Sequence, residues 1–105
     1  MRSLAVLGVV AIAVLACGCS ESTSDPLAAR GRQTYLAQCT QCHHPDPAQA
    51  GPVGPPVKGS SRELLEAKIL RGTYPPGYKP KRSTSIMPVQ PAVGPEIPAL
   101  AAFLK

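Results

Sequence analysis

Apolar and polar residues alternate along this chain with the period of a helix, and the first such segment follows Asp25. Small and apolar residues recur there at every fourth position: Leu27, Gly31, Tyr35 and Cys39. Residues four apart share one face of a helix. Asp25 suits an N-cap and Pro26 suits the first helical position, where the missing N–H of proline is not needed. The pattern predicts a helix from Pro26 to about Gln38, with this face packed in the core.

A second helical segment begins near Ser60. The stretch Ser60-Ser61-Arg62-Glu63 has the spacing of a capping box, in which a serine and a glutamate three residues later cap the first turn. Apolar residues then mark one helix face: Leu64, Leu65, Ile69 and Leu70. Gly72 is a suitable stop, because glycine readily adopts the left-handed conformation that ends many helices.

The third helical segment lies near residues 95–104. Its apolar residues follow the i, i+3, i+4, i+7 pattern: Ile97, Leu100, Ala101 and Leu104. Pro98 must lie in the first turn, because a proline further inside would remove a backbone hydrogen bond and clash with the preceding turn. We expect Phe103 to pack beside the first helix near Gly31.

Prolines are concentrated between the second and third helices. Residues 72–93 contain five of them: Pro75, Pro76, Pro80, Pro88 and Pro91. Loops of this length in a compact domain usually serve a function, and proline stiffens them by reducing the entropy of the unfolded chain. The chain is therefore expected to be all-α, with about three main helices and long Pro-rich loops.

Residues 1–19 are typical of a secretion signal. Arg2 supplies a positive start, and residues 4–15 form an uncharged, mostly aliphatic run. This run is shorter than the roughly 20 helical residues that cross about 30 Å of hydrocarbon. We therefore predict export and not a permanent transmembrane helix.

The end of the signal resembles a bacterial lipobox. Ala16 precedes Cys17, and the cysteine of a lipobox is acylated and becomes the new N-terminus. The resemblance implies lipidation at Cys17, with Cys19 as a poorer competing site and ordinary signal cleavage as the alternative. Residues 20–25 would then be a short polar tether, and the acyl chains would hold the domain at a membrane surface.

Composition limits how the rest of the chain can be stabilised. Of 105 residues, fewer than 90 remain after the export segment, and Tyr35, Tyr74, Tyr78 and Phe103 are the aromatic ones. A domain of this size buries a small share of its surface and usually needs a staple. A cofactor, metal or disulfide is therefore expected in the interior.

The whole chain has a formal net charge of +5, and its basic residues are concentrated in one part of the sequence. No acidic residue lies between Glu66 and Glu96, where five basic residues fall: Lys68, Arg71, Lys79, Lys81 and Arg82. We expect no nucleic-acid partner, because the protein is exported and lacks stacking aromatics beside these charges. An acidic protein patch, anionic lipid or the acid groups of a cofactor fit better, and simple solvation of a loop is the alternative.

Cys39-Thr40-Gln41-Cys42-His43 has the C-x-x-C-H spacing of a c-type haem attachment site. Two thiols three positions apart on a helical turn can each form a thioether with a haem vinyl group. The histidine that follows is then carried beneath the ring, where its imidazole can bind iron. This motif makes one covalent haem c the expected cofactor.

Three other uses of these cysteines fit less well. A thioredoxin-like dithiol needs a βαβ context, which this Pro-rich chain does not show. A structural zinc site needs four ligands, and the only donors left after export are crowded within residues 39–44. A disulfide between Cys39 and Cys42 would close too small a loop to stabilise much.

The order of these features resembles that of the class I cytochromes c, the small all-helical electron carriers that wrap one haem. The resemblance covers residues 26–105. Gly31 and Tyr35 resemble the family's first helix, where glycine permits close crossing by the last helix. Residues 51–59 resemble its Gly-Pro loop, and Met87 with the following proline resembles its distal-ligand motif.

The resemblance implies a ligand set for the iron. A proline carbonyl, here that of Pro55, accepts a hydrogen bond from Nδ1–H of His43, which fixes the ring and raises its basicity. Met87 is expected as the second iron ligand. The sequence supports this role of Met87 independently of the resemblance. Met1 is removed with the signal, and Met87 is then the only thioether side chain that could bind the iron.

His44 and Tyr78 are two further polar residues that could contact the haem. His44 is the internal rival for the iron, but beside His43 on a helical turn it would point elsewhere, to the surface or a haem propionate. Tyr78, with Tyr74, could offer a hydroxyl to a propionate or be a solvated loop residue.

The predicted function is that of a one-electron carrier and not an enzyme. It would work outside the cytoplasm, in a periplasmic or extracytoplasmic respiratory chain, as a monomer with redox partner proteins that are acidic where they dock. Nothing resembles a catalytic constellation. Two alternatives are a haem-bearing accessory subunit of an oxidase or dehydrogenase, and a haem-based sensor or peroxidase-like enzyme with an open sixth site.

Overall fold

The computed structural model describes residues 25–105 as an all-α domain, and no strand occurs within that range. Helix α1 spans Pro26–Gln38 and helix α2 spans Arg62–Leu65. A π-helical segment, Glu66–Leu70, continues α2, and a 3-10 segment, Pro91–Glu96, leads into helix α3, Ile97–Leu104. The expected signal peptide, residues 1–19, the tether up to Ser24, and Cys17 lie outside the described residues. Within 25–105, no helix is both long enough and apolar enough to span a bilayer.

Helix α1 begins and ends where the sequence predicts. Asp25 caps it, its Oδ1 accepting a hydrogen bond from the Leu27 backbone N–H at 3.0 Å. Gly31 is buried where α1 crosses α3, and a Cβ there would lie 1.9 Å from the carbonyl oxygen of Ala99. Glycine is therefore required at this crossing. The buried face starts at Gly31, however, and the expectation that Leu27 belongs to it was wrong, since Leu27 is 45% exposed.

The second helix differs from the prediction at its start. Its cap is Ser61, whose Oγ accepts from the Leu64 N–H at 3.1 Å, while the Ser60 hydroxyl donates to the carbonyl of Val57. The Ser60–Glu63 capping box was therefore wrong by one residue. Gly72 ends the helix as expected, with φ of +65°.

The π-helical segment was not predicted, and it connects the second helix to the loop that follows. The Ala67 carbonyl accepts from the Thr73 N–H at 3.0 Å, and the Ile69 carbonyl accepts from the Gln90 N–H at 2.7 Å. Both ends of loop 73–90 are thereby attached to the same short segment. Such π-turns are uncommon and often occur at functional sites.

The third helix carries Pro98 at its second position, within the first turn as predicted. The 3-10 segment before it begins at Pro91, earlier than the sequence pattern indicated. Arg30 of α1 donates two hydrogen bonds to Glu96 just before α3, at 2.6 and 2.8 Å. This bidentate ion pair reinforces the α1–α3 crossing.

The core is small and lies where α1, α2 and α3 meet. Its buried members form one cluster: Tyr35, Leu65, Ile69, Val93, Ile97, Leu100 and Leu104. Phe103 packs beside α1 as expected, but against Tyr35, one turn after Gly31, with ring centroids 5.5 Å apart. Among the described residues Tyr35 is the only buried aromatic.

Candidate cofactor site

A cavity of about 420 Å³ opens beside the core. Its lining brings together all six residues that the sequence analysis assigned to the haem: Cys39, Cys42, His43, Pro55, Tyr78 and Met87. Leu65, Leu100 and Leu104 of the core cluster form part of its wall. The cavity is thus continuous with the apolar interior, and most of its surface is apolar, as is usual for cofactor sites.

The turn after α1 places two thiols and an imidazole on this cavity. The His43 N–H donates to the Cys39 carbonyl at 2.9 Å, and the Cys42 N–H does so at 3.3 Å. Both cysteines are half-buried free thiols. Burial raises the pKa of the Cys39 thiol to about 11, because an apolar surrounding disfavours the thiolate.

The imidazole of His43 is held through its Nδ1 atom, which lies 3.0 Å from the carbonyl oxygen of Pro55. A carbonyl can only accept, so Nδ1 carries the proton and the lone pair of Nε2 is left for another ligand. The hydrogen bond that the sequence analysis expected at Pro55 is therefore present in the structure.

Glycine backbone packs directly against this histidine. A Cβ at the buried Gly54 would lie 2.4 Å from Cε1 of His43, and a Cβ at Gly51 would lie 2.3 Å from the Cys42 carbonyl oxygen. The Gly54 N–H also donates to that carbonyl at 2.8 Å. Sequence reasoning noted the Gly-Pro loop but not that its glycines make room for the imidazole.

Tyr35 supports the histidine segment from the core side. Its ring is only 2% exposed, and its hydroxyl donates to the His44 carbonyl at 2.5 Å. The phenol has a pKa raised to about 12, mainly because burial disfavours the phenolate and secondly because of the nearby Cys39 and Asp46. The sequence indicated a packed aromatic here but gave no sign of the hydroxyl's partner.

The two histidines occupy different surroundings. Nδ1 of His44 accepts a hydrogen bond from the Asp46 backbone N–H at 2.9 Å, and His44 does not line the cavity. His43 does. Within residues 25–105, no group of three or more histidine, cysteine or acidic side chains is arranged to hold a metal ion.

Met87 reaches the cavity from loop 73–90. Its side chain is half-buried and packs against the core cluster, whereas its neighbour Ile86 is 66% exposed and Val89 is 47% exposed. Within residues 79–89, Met87 is thus the only half-buried residue.

Two tyrosines of the same loop form a stack at the cavity wall. The rings of Tyr74 and Tyr78 lie 5.4 Å apart and nearly parallel, and the ammonium of Lys68 sits 4.4 Å from the centre of the Tyr74 ring. All three residues line the cavity. This cation–π contact fixes Lys68 against the wall, which the sequence could not show because it joins different segments.

Basic residues border the same opening. Lys81 and Arg82 line the cavity, and the Lys81 ammonium donates to the carbonyl oxygen of Pro56 at 2.8 Å. Lys79 borders a second, shallower hollow formed by residues 79–85 with Tyr74. The mouth of the cavity is therefore positively charged.

The residues present fit a covalently held haem. Two thiols, one imidazole with a free Nε2 and one thioether border a single, mostly apolar cavity, and these are the donor types that bind haem c. Because Gly54 has no Cβ, there is space beside it for the imidazole that would bind the iron.

Comparison with known proteins adds no family assignment. No family model matches the chain, and neither a curated protein nor a solved structure matches it.

Proposed function

We propose that this domain carries one haem c and transfers single electrons. Cys39 and Cys42 would hold the haem covalently, and His43 and Met87 would be its axial ligands. The observation that carries the proposal is the 3.0 Å hydrogen bond from His43 Nδ1–H to the Pro55 carbonyl. It leaves Nε2 of His43 available on the cavity that the two thiols and Met87 also line.

The cysteines would provide the covalent attachment. Each S–H adds across a vinyl C=C bond, so that sulfur bonds one carbon, hydrogen the other, and no group leaves. With its pKa raised to about 11 by burial, the Cys39 thiol is in the S–H form at neutral pH. A haem held in this way supplies an iron that changes by one electron between its ferric and ferrous states.

His43 would be oriented by its neighbours before any ligand binds. The Pro55 carbonyl fixes the tautomer and increases electron density on Nε2. Gly54 leaves room for the ring in this orientation, because a Cβ at this position would overlap the imidazole. Such support makes His43 a strong and well-directed ligand.

Met87 would complete the ligand set. Its packing against the core cluster, between neighbours that are exposed, supports this role. A thioether opposite histidine raises the reduction potential relative to more basic ligand pairs, which suits a carrier. Apolar wall residues such as Leu65 and Leu100 would exclude water from the site.

The proposal includes export and a membrane tether. The secretion signal over residues 1–19 and the lipobox at Cys17 support a protein that works at the outer face of a membrane. The positive cavity mouth favours redox partners that are acidic where they dock. The domain would act as a monomer.

A second candidate is a haem-bearing accessory subunit of a larger oxidase or dehydrogenase. Val53 and Ile86 line the cavity and are 45% and 66% exposed, so they present apolar surface at its mouth. Such surface suits a lasting interface. Stable co-purification with one large partner from the native membrane would favour this candidate over a diffusing carrier.

Expression in a host that exports and matures c-type haem tests the proposal. We expect the intact mass to include one haem that acid–acetone does not extract. Cys39→Ser and Cys42→Ser should each leave a haem with one thioether or none. Unmodified mass in the parent protein, under conditions in which a known c-type haem protein matures, would contradict the proposal.

A further inference from the structure

The middle of the loop that carries Met87 is hydrogen-bonded to another segment at one point. Within residues 79–89, the only hydrogen bond that the described chain forms is that from the Lys81 ammonium to the Pro56 carbonyl, at 2.8 Å. The ends of the loop are attached separately, by the backbone hydrogen bonds of Thr73 and Gln90. Among the described residues, the hydrogen bond of Lys81 is thus the only one that joins residues 79–89 to another segment.

Lys81 is hydrogen-bonded to the same segment, Pro55-Pro56, that binds the imidazole of His43. Pro55 accepts the hydrogen bond from His43, and the next carbonyl, that of Pro56, accepts the one from Lys81. Both prolines have φ fixed by their rings, so this dipeptide is a stiff support. Two successive carbonyls thus hold His43 and the Met87 loop to one support.

We propose that Lys81 is a positioning residue that latches the loop and keeps Met87 at its place on the cavity. This inference rests on the proposed function, because it assigns to Lys81 control over the ligand position that Met87 would fill. Release of Lys81 from Pro56 frees the middle of the loop and lets Met87 move away from the cavity. The latch therefore sets how readily an outside ligand reaches that position.

The chemistry of Lys81 suits such a latch. A lysine ammonium on a flexible four-carbon stem can span from one loop to another and donate to a carbonyl. The contact is exposed to solvent, so water competes for both partners and the bond stabilises the closed loop only modestly. Lys81 lines the same cavity as Pro55, Pro56 and Met87, so movement of Lys81 would change the shape of that cavity.

Imidazole binding to the ferric holoprotein tests the latch, since imidazole must displace Met87 to bind. We expect Lys81→Met to bind imidazole roughly fivefold faster than the parent protein, the effect of losing one modest hydrogen bond. Lys79→Met is the matched control. It removes the same charge two residues away, where the described chain shows no hydrogen bond or salt bridge for the lysine.

A conservative variant tests whether a cationic hydrogen-bond donor at position 81 is sufficient for the latch. Lys81→Arg keeps a donor and a positive charge, and it should restore the parent rate. Its expected rescue would not follow if Lys81 acted only through packing of its stem. Equal rates for Lys81→Met and Lys79→Met would overturn the latch.

Failure of the latch and failure of the proposed function give different results. If the parent binds imidazole slowly, Met87→Ala binds it fast and Lys81→Met behaves as the parent, the latch alone is wrong. If the parent already binds as fast as Met87→Ala, Met87 does not hold the position and both proposals are wrong.

A measurement on the unchanged holoprotein covers the case in which Lys81→Met does not mature. Trace acetylation followed by peptide mass spectrometry compares the reactivity of the two lysines. We expect Lys81 to be labelled roughly fivefold more slowly than Lys79, because its ammonium must first leave the Pro56 carbonyl. Equal labelling would overturn the latch.

Discussion

The backbone at Gly54 lies against the imidazole of His43 so closely that a Cβ there would be 2.4 Å from the ring carbon Cε1. The ring is therefore bounded by a backbone surface as well as by the Pro55 carbonyl that binds its Nδ1. This double restraint holds the imidazole in one orientation before a ligand binds. It is the structural basis of the proposed iron ligand.

Gly54→Ala should disturb the histidine directly. Its methyl group would overlap the ring, and overpacking of this kind costs about 1–3 kcal/mol. We expect a reduced yield of holoprotein and an altered absorption spectrum in what matures. Gly94→Ala is the control, because its Cβ would meet only the flexible tip of Leu70 at 3.2 Å. Full yield and an unchanged spectrum for Gly54→Ala would argue against the restraint.

Gly31→Ala should weaken the crossing of α1 and α3. The added methyl would lie 1.9 Å from the Ala99 carbonyl oxygen, which is backbone and can move only with its helix. We expect the free energy of unfolding of the holoprotein to fall by about 1–3 kcal/mol. Gln33→Ala, on the exposed side of α1, should change it by less than about 0.5 kcal/mol. Similar stabilities for the two variants would contradict this account of the crossing.

Tyr35→Phe should change stability in a pH-dependent way. At neutral pH the variant loses the hydrogen bond to the His44 carbonyl, a loss of about 0.5–1.5 kcal/mol. In the folded parent the phenol has its pKa raised from 10.0 to about 12. The unfolded chain therefore ionises first, and the parent's stability, complete below pH 10, falls as pH rises toward 12.

The variant lacks this titration, so the gap between parent and Tyr35→Phe should narrow between pH 10 and 12. Chemical denaturation at pH 7, 9 and 11 measures the gap directly. A gap that stays constant over this range would show that the buried hydroxyl does not titrate as described.

Glu96→Gln should remove stability that depends on a carboxylate. The hydrogen bond from Arg30 lowers the pKa of Glu96 below its usual 4.5 and the contact raises that of Arg30. The ion pair therefore stabilises the fold above pH 4.5, and this contribution is lost as pH falls through the lowered pKa of the folded state. We expect parent and variant to differ in thermal midpoint at pH 7 and to converge in acid.

The exposed pair within the second helix is the control for Glu96→Gln. Arg62 and Glu66 are four residues apart in one helical segment, so their ion pair does not connect two different helices. Glu66→Gln therefore removes an ion pair without weakening a contact between helices. Its effect at pH 7 should be the smaller. An equal change in thermal midpoint for the two variants would contradict the conclusion that the Arg30–Glu96 ion pair stabilises the α1–α3 crossing.

Cys17→Ala tests the proposed lipid anchor. We expect the variant to move from washed membranes to the soluble exported fraction while keeping its haem. Immunoblots of fractionated cells, with haem staining, follow both properties. Continued membrane association of a haem-containing Cys17→Ala protein would contradict lipidation at this cysteine.

Local signals explain which parts of the fold could be predicted. The Asp25-Pro26 cap, the position of Pro98 and the stop at Gly72 depend on residues within one or two turns, and each is present as expected. Leu27 was misplaced because periodicity identifies a face but not where the neighbouring helix ceases to cover it. The π-helical segment, which no local pattern marks, is joined to Gln90, twenty-one residues after Ile69, by a backbone hydrogen bond.

The site shows the same division. The C-x-x-C-H motif and the Gly-Pro loop indicate Cys39, His43 and Pro55 from the sequence alone. The contact between Lys81 and Pro56 joins residues 25 positions apart, and no local pattern marks it. Long-range polar contacts between loops are set by how the whole chain packs, so sequence periodicity carries no information about them.

The absorption spectrum of exported, matured protein, oxidised and reduced, with and without carbon monoxide, tests the central claim most directly. A His43/Met87 haem should give low-spin spectra with a far-red sulfur-to-iron band in the ferric state, and the ferrous protein should bind carbon monoxide slowly. Met87→Ala should lose the far-red band, bind carbon monoxide at once and have a lower potential. A high-spin parent that binds carbon monoxide immediately, with a spectrum and potential that Met87→Ala leaves unchanged, would contradict the account and favour a sensor or enzyme.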